Sequence, residues 1–226
     1  MHRLARDSNI SQATAYRYLH EALDVISSRA PGLQHVLADQ EAANELILCL
    51  DGTLIHTDAV ATRKIIGHTD QDDITDDDDP GYRTIGWFSG KHWCFGGNLQ
   101  VLSNRDGRPL YIAPVEPGAT HDSTAAEKHI FAAVWATGLW IFADKGYQGA
   151  GPRVKTPPKG NRLNPGDETI REIITDIRAP TEGGNAALKH YKALKHVSLC
   201  PMAITKITRS VLVLISLHYD PDWRSR

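Results

Sequence analysis

Two short apolar runs, each closing on an aspartate, constrain this chain more than any other feature. Glu45–Leu50 (ELILCL) runs into Asp51-Gly52-Thr53, and Leu139–Ala143 (LWIFA) runs into Asp144-Lys145-Gly146. Runs this short, without polar alternation and closed by turn residues, read as buried central strands with a carboxylate at the tip. The aspartates are 93 residues apart, so they can meet only if the two strands are neighbours in one sheet. The rest of the chain supplies the elements for such a sheet. Lys91–Leu102 and Pro109–Val115 are strand-like and are joined by the turn Asn104-Arg105-Asp106-Gly107. His121–Val134 and Asp167–Ile177 have helical periodicity, a further helix is expected from near Thr181 through Lys195, and Met202–His218 carries Ile204, Ile207, Val211 and Leu214 on one face. With 226 residues, 41% hydrophobic and 23% charged, the chain has material for one main globular domain and a small appendage. The fold class expected is α/β, a mixed sheet flanked by helices.

The appendage is the N-terminus. Leu4–Ile26 reads as helix, tight turn, helix: the pattern breaks at Ser8-Asn9, and Ser11 stands where an N-cap belongs. Leu19, Leu23 and Ile26 make an inward stripe, which leaves Gln12, Ala13, Thr14 and Arg17 at the exposed start of the second helix. A recognition helix places its base-contacting side chains there, although an ordinary helical hairpin has the same pattern. Residues 1–30 are expected to form a helix-turn-helix segment, shorter than a full three-helix module, and residues 45–220 the main domain. The stretch from Ala30 to Asn44 reads as a connection.

Net charge is -2 and conceals strong asymmetry. Asp70–Asp79 (DQDDITDDDD) holds seven aspartates and no basic residue, whereas Asp144–Arg209 holds twelve Lys or Arg against six Asp or Glu. Lys145, Arg153, Lys155, Lys159 and Arg162 follow the second aspartate, and Lys189, Lys192 and Lys195 come later. A basic rim flanking acids suits phosphate contacts, although solvated lysine faces are common. Cys49, Cys94 and Cys200 form no CxxC pair, which points to a reducing cytoplasm and away from a zinc or redox motif. The longest apolar stretch, Ser210–Leu217, is too short to span a bilayer. Trp93, Trp140 and Tyr147 are read mainly as core residues, with Tyr147 able to reach the aspartates.

Asp51 and Asp144, with Glu182 on a later helix, would form a site of hard oxygen ligands without histidine or cysteine. That composition suits Mg²⁺ or Mn²⁺ rather than zinc. Two such ions could activate a water or a 3′-hydroxyl for in-line attack on a phosphodiester. Each acid also has an ordinary reading: Asp-Gly as a turn, Asp144 as a loop residue, and Glu182 as a first-turn helix acid.

The blocks LDGT (Leu50–Thr53), SGKHWCFGGNLQVL (Ser89–Leu102), PGATHDS (Pro117–Ser123), ADKGYQG (Ala143–Gly149) and RAPTEGGNAALKHYKAL (Arg178–Leu194) resemble, in order, the catalytic domain of DDE transposases of the Harbinger and insertion-sequence-5 type. The resemblance implies an RNase H-like fold, with Asp51, Asp144 and Glu182 as metal ligands holding two divalent ions. It also implies a helix-turn-helix over Ile10–Leu23. Gly183-Gly184 after the glutamate departs from the family pattern, and each glycine weakens a helix by about 1 kcal/mol relative to alanine. His121 and Asp122 are read as a helix start rather than ligands. The expectation is a transposase that cuts and joins double-stranded DNA at mobile-element ends, as a homodimer or larger assembly, cytoplasmic and nucleoid-associated, with no membrane partner. Gln12, Thr14, Arg17, Lys145, Arg153, Lys155 and Lys189 are the expected DNA contacts. The alternatives are a catalytically silent transposase-derived DNA-binding protein and a haloacid-dehalogenase-like phosphatase. The second lacks its nucleophile, because Cys49 stands two places before Asp51 where an aspartate is required.

Overall fold

The structure, a computed structural model, describes residues 2–58, 86–160 and 163–219. The aspartate-rich segment 70–79 and Arg162 lie outside them. At the centre runs β1 (Ile47–His56), parallel to β6 (Trp140–Ala143) on one side and antiparallel to β3 (Cys94–Ser103) on the other. Beyond β6 lies β7 (Val154–Lys155), and the far edge of β3 carries β2 (Phe88–Ser89), β4 (Pro109–Ile112) and β5 (Glu116–Pro117). Among the described residues the result is a seven-stranded mixed sheet with path β2-β3-β1-β6-β7, compatible with the RNase H-like arrangement.

Two apolar layers enclose the sheet, as the run-like strands require. Leu48 and Leu50 of β1, with Leu102, Ile141 and Ala143, face a core closed by α3 (Leu33–Ala42) and by α4 (Asp122–Ala126), which passes through a π-helical turn (Glu127–Phe131) into α5 (Ala132–Trp135). On the opposite face Ile55, Leu99 and Val101 pack under α6 (Pro165–His190) and α7 (Ala203–Tyr219), through Leu188, Ile204, Ile207 and Val211. Each fully buried Leu, Ile or Val contributes roughly 1.5–3 kcal/mol. Removing any of these side chains from the middle layer would therefore be costly.

The N-terminal pair is α1 (His2–Asp7) and α2 (Gln12–Ser27), with Ser11 as N-cap accepting from the Thr14 amide. The expected stripe of Leu19, Leu23 and Ile26 is half-buried. Leu23 packs against the α6/α7 core, Asp24 pairs with Lys206, and the Ser210 hydroxyl donates to the Leu23 carbonyl at 3.4 Å. The helical pair thus rests on α7.

Three expectations change. The stretch read as a connection contains α3: Leu33, Val36 and Leu37 repeat at i, i+3 and i+4 over only two turns, too short a stripe to stand out beside Pro31-Gly32. The two helices expected on either side of Pro180 are one, because α6 continues through the proline and through Gly183-Gly184. Gly184 explains the continuity. A Cβ there would sit 2.1 Å from the Gly107 carbonyl oxygen, and one on Gly107, at φ +80°, would sit 2.1 Å from the Pro180 carbonyl oxygen. The helix is seated directly on the β3–β4 turn, backbone to backbone, so its helix-weakening glycine is a packing requirement. Finally, Trp93 is not core: it is 83% exposed at the β2–β3 turn. Trp140 is half-buried, and Tyr147 is fully buried as expected.

Candidate active site

The β1–β6 register fixes the site. Leu50 pairs with Ala143 at the last rung of the parallel ladder, so the next residue on each strand, Asp51 and Asp144, emerges side by side. Beyond that rung β1 continues against β3 alone, as far as His56 paired with Gly96, which opens a cleft along the edge β6 has left. Asp144 caps the 3₁₀ turn Lys145–Tyr147, accepting from the Gly146 amide at 2.8 Å. Alternation along β1 turns Asp51 toward α6, where Asn185 Nδ2 donates to its Oδ2 at 2.5 Å and the Arg178 guanidinium lies 3.5 Å from its Oδ1. Burial raises the Asp51 pKa and the nearby charges of Asp144 and Asp122 raise it further; Arg178 and Asn185 work against them without prevailing.

On the other face of β1 a polar bed lies beneath the cleft. Asn98 and Gln100, alternate residues of β3, are buried and linked, Gln100 Nε2 donating to Asn98 Oδ1 at 2.9 Å. The Tyr147 hydroxyl donates to Gln100 Oε1 at 2.5 Å, and Asn98 Nδ2 donates to Asp122 Oδ1 at 2.7 Å. This chain of donors fixes both amides with their NH₂ groups toward Asp122. Burial raises the Tyr147 pKa strongly, and the charges of Asp122, Asp51 and Asp144 add to it, so the phenol remains a donor. Gly52 lets Asp122 approach: a Cβ there would stand 2.7 Å from its Oδ1. His121 caps α4 as expected, but Asp122 also presents its carboxylate to the cleft, a role missed in the sequence. The available signal was Asn98 and Gln100, two amides on one face of an apolar strand, which require a polar partner.

The cleft has a volume of about 400 Å³, and Gly52, Lys91, His92, Asp122 and Asp144 are among the residues that line it. Lys91 Nζ lies 3.2 Å from Asp122 Oδ2. Burial lowers the His92 pKa, and Lys91, Lys189 and His56 lower it further while Asp122 opposes them. Lys189 is exposed on α6 and is not among the residues that line the cleft.

Glu182 is not gathered with the aspartates. It is exposed on α6, four residues after Arg178 and three before Asn185, flanking the helix face that touches Asp51. Among the described residues no three His, Cys, Asp or Glu side chains converge tightly enough to hold a metal ion. Two carboxylates emerging side by side, Asp51 half-buried, do supply oxygen donors of the kind divalent cations take.

The expected DNA contacts separate into groups. Lys145 is exposed directly beside Asp144. Arg153 and Lys155 lie over the Trp140 ring, at 5.7 and 4.7 Å from its centroid; cation–π contact accounts for their placement. On α2, Thr14 Oγ1 is within 2.8 Å of Ser11 Oγ in the cap, Gln12 reaches His2 at 3.1 Å, and Arg17 is exposed over the Tyr18 ring.

The profile of the DDE superfamily endonucleases matches residues 78–219, more than half of the chain, and the chain belongs to that family. The match includes Asp144 and Glu182 and begins after Asp51. No curated protein and no solved structure matches the chain. The family supports a transposase-like, DNA-acting nuclease function. No helix among the described residues is long and apolar enough to cross a membrane.

Proposed function

We propose that the chain is a transposase of the Harbinger and insertion-sequence-5 type that cuts DNA and transfers strands at the ends of a mobile element. The observation that carries this reading is the emergence of Asp51 and Asp144 side by side beyond the last rung of the β1–β6 ladder, Asp144 lining a cleft that Lys91 also lines. Asp51 and Asp144 would hold Mg²⁺ or Mn²⁺, with Glu182 completing the set from α6; its place beside Arg178 and Asn185 on that helix supports this role. Divalent ions at such a site supply Lewis acidity and an ionised nucleophile for phosphodiester chemistry.

The protein's part is positioning. Arg178 and Asn185 hold the Asp51 carboxylate, and the Gly146 amide holds that of Asp144. Lys145 and Lys189 offer charge to the DNA backbone on either side. Gln12, Thr14 and Arg17 at the start of α2 would contact duplex outside the cleft, the helix being braced on α7. Double-stranded ends and target, and a dimer or larger assembly to hold two ends, complete the reading.

The test is cleavage of DNA bearing the element's terminal inverted repeats. Asp51→Asn, Asp144→Asn and Glu182→Gln should each abolish it, and full activity in any one removes that residue from the set. A DNA-binding protein without nuclease activity would bind this DNA and leave it intact in every divalent metal tried. A phosphatase would instead turn over a small phosphomonoester.

A further inference from the structure

The β2–β3 turn, Ser89 to Cys94, is not explained by folding needs alone. Ser89 pairs with Cys94, and the His92 amide donates to the Ser89 carbonyl at 3.3 Å, closing a tight loop whose last residue, Trp93, has φ +52°. That conformation suits glycine or asparagine and disfavours a bulky side chain. Burial gives little in return: Trp93 is 83% exposed, and among the described residues its ring contact is with the edge of Phe88, centroids 6.3 Å apart. Two residues earlier, Lys91 stands over the cleft, tethered by Asp122, itself oriented by Asn98. An indole held out in solvent at a backbone cost, next to an anchored cation facing carboxylates, has the two parts of a single-strand contact. Aromatic rings stack on bases, and cations hold the phosphates between them.

We propose that this turn grips a single-stranded DNA end at the cleft, Lys91 holding a phosphate beside Asp122 and Asp144 and Trp93 stacking on an unpaired base of the same strand. Asp122 then acts as a positioning residue for Lys91. The proposal rests on the DNA-cutting reading, since it names the form of DNA the cleft takes.

The experiment measures binding in the full chain carrying Asp144→Asn, so that cleavage does not intervene. The probes are a labelled duplex with a single-stranded end and the same duplex made blunt. Trp93→Ala should weaken binding of the single-stranded end about tenfold and that of the blunt duplex much less, while Trp93→Phe retains most of the preference. Trp93→Gly, which fits the backbone, should keep or raise the Tm and lose the preference, separating the ring's contact with DNA from any part in folding. Lys91→Ala should reduce the slope of log affinity against log salt by about one, with recovery in Lys91→Arg. Equal binding of both probes by Trp93→Ala and the parent overturns the proposal, even if Asp51 and Asp144 prove essential for cleavage. A Trp93-dependent preference in a chain that cuts no DNA upholds the grip and overturns the nuclease.

Discussion

Asp51 and Glu116 are both half-buried carboxylates, and their surroundings treat them in opposite ways. For Glu116 burial favours the neutral form, but hydrogen bonds from Lys128 at 2.9 Å and His129 at 2.7 Å outweigh it and hold the pKa below the usual value. Its charge is answered in place, and it ties β5 to the π-helical turn. For Asp51 burial again favours the neutral form and here it prevails: Arg178 and Asn185 offset the charges of Asp144 and Asp122 but not the cost of burial, and the pKa stays above the usual value. Glu116 is thus answered in place, whereas Asp51 keeps a burial cost that its partners do not fully offset, next to Gly52, which lines the cleft. On the metal-binding reading, a bound cation would remove that remaining cost, which would set a binding carboxylate apart from a structural one.

The largest expected contrast is in catalysis. Asp144→Asn should lower DNA cleavage by roughly a thousandfold or more, as removal of a group acting at the transition state does, whereas Glu116→Gln should leave cleavage measurable at a comparable rate. Equal losses would erase the distinction. Next is metal-linked stability: Mn²⁺ at about one hundred times its dissociation constant should stabilise the parent chain by about 2.7 kcal/mol. Asp51→Asn should show little of this in the same thermal melts, and an undiminished shift would place the ion elsewhere.

A smaller effect is expected from Glu116→Gln, a loss of about 1.5–2 kcal/mol near neutrality from two charge-assisted hydrogen bonds. Because the Glu116 pKa is depressed, its contribution is present above the ordinary carboxylate pKa and disappears as pH falls through the folded value. Denaturant melts of parent and variant should therefore converge in acid. The smallest effect runs the other way. The raised Asp51 pKa means stability that is full at low pH and declines as pH rises through the folded value, so with chelator present Asp51→Asn should stabilise the chain by up to about 1 kcal/mol at neutral pH. That gain should shrink on acidification, and a loss of stability at neutral pH would show that Arg178 needs the charge.

The pairing of Asp51 with Asp144 was legible in the sequence because it depends on backbone alone. Two unalternating apolar runs must be central strands, and residues that follow matched rungs must emerge together. Asp122 was not legible as a cleft group, since an acid in the first turn of a helix needs no other explanation; only the buried amides of β3 betray it. Glu182 shows the reverse limit: resemblance singles it out, and α6 carries it past the cleft with its side chain in solvent. Arg153 and Lys155 count as basic-rim residues in a tally of charges, but a half-buried indole already occupies them. Trp93 misled because composition assigns tryptophan to the core, whereas the turn geometry leaves this one outside.

The seat of α6 on the β3–β4 turn also has an evolutionary side. Arg178, Asn185 and Glu182 all travel on that helix, and its contact at Gly184 leaves no space for even a methyl group. Every amino-acid change reachable from a glycine codon by one base substitution adds a Cβ. Almost any missense mutation at this codon would therefore lift the helix away from Asp51 while sparing the strands. On the DNA-cutting reading, this codon is an easily reached route to a descendant that no longer cuts.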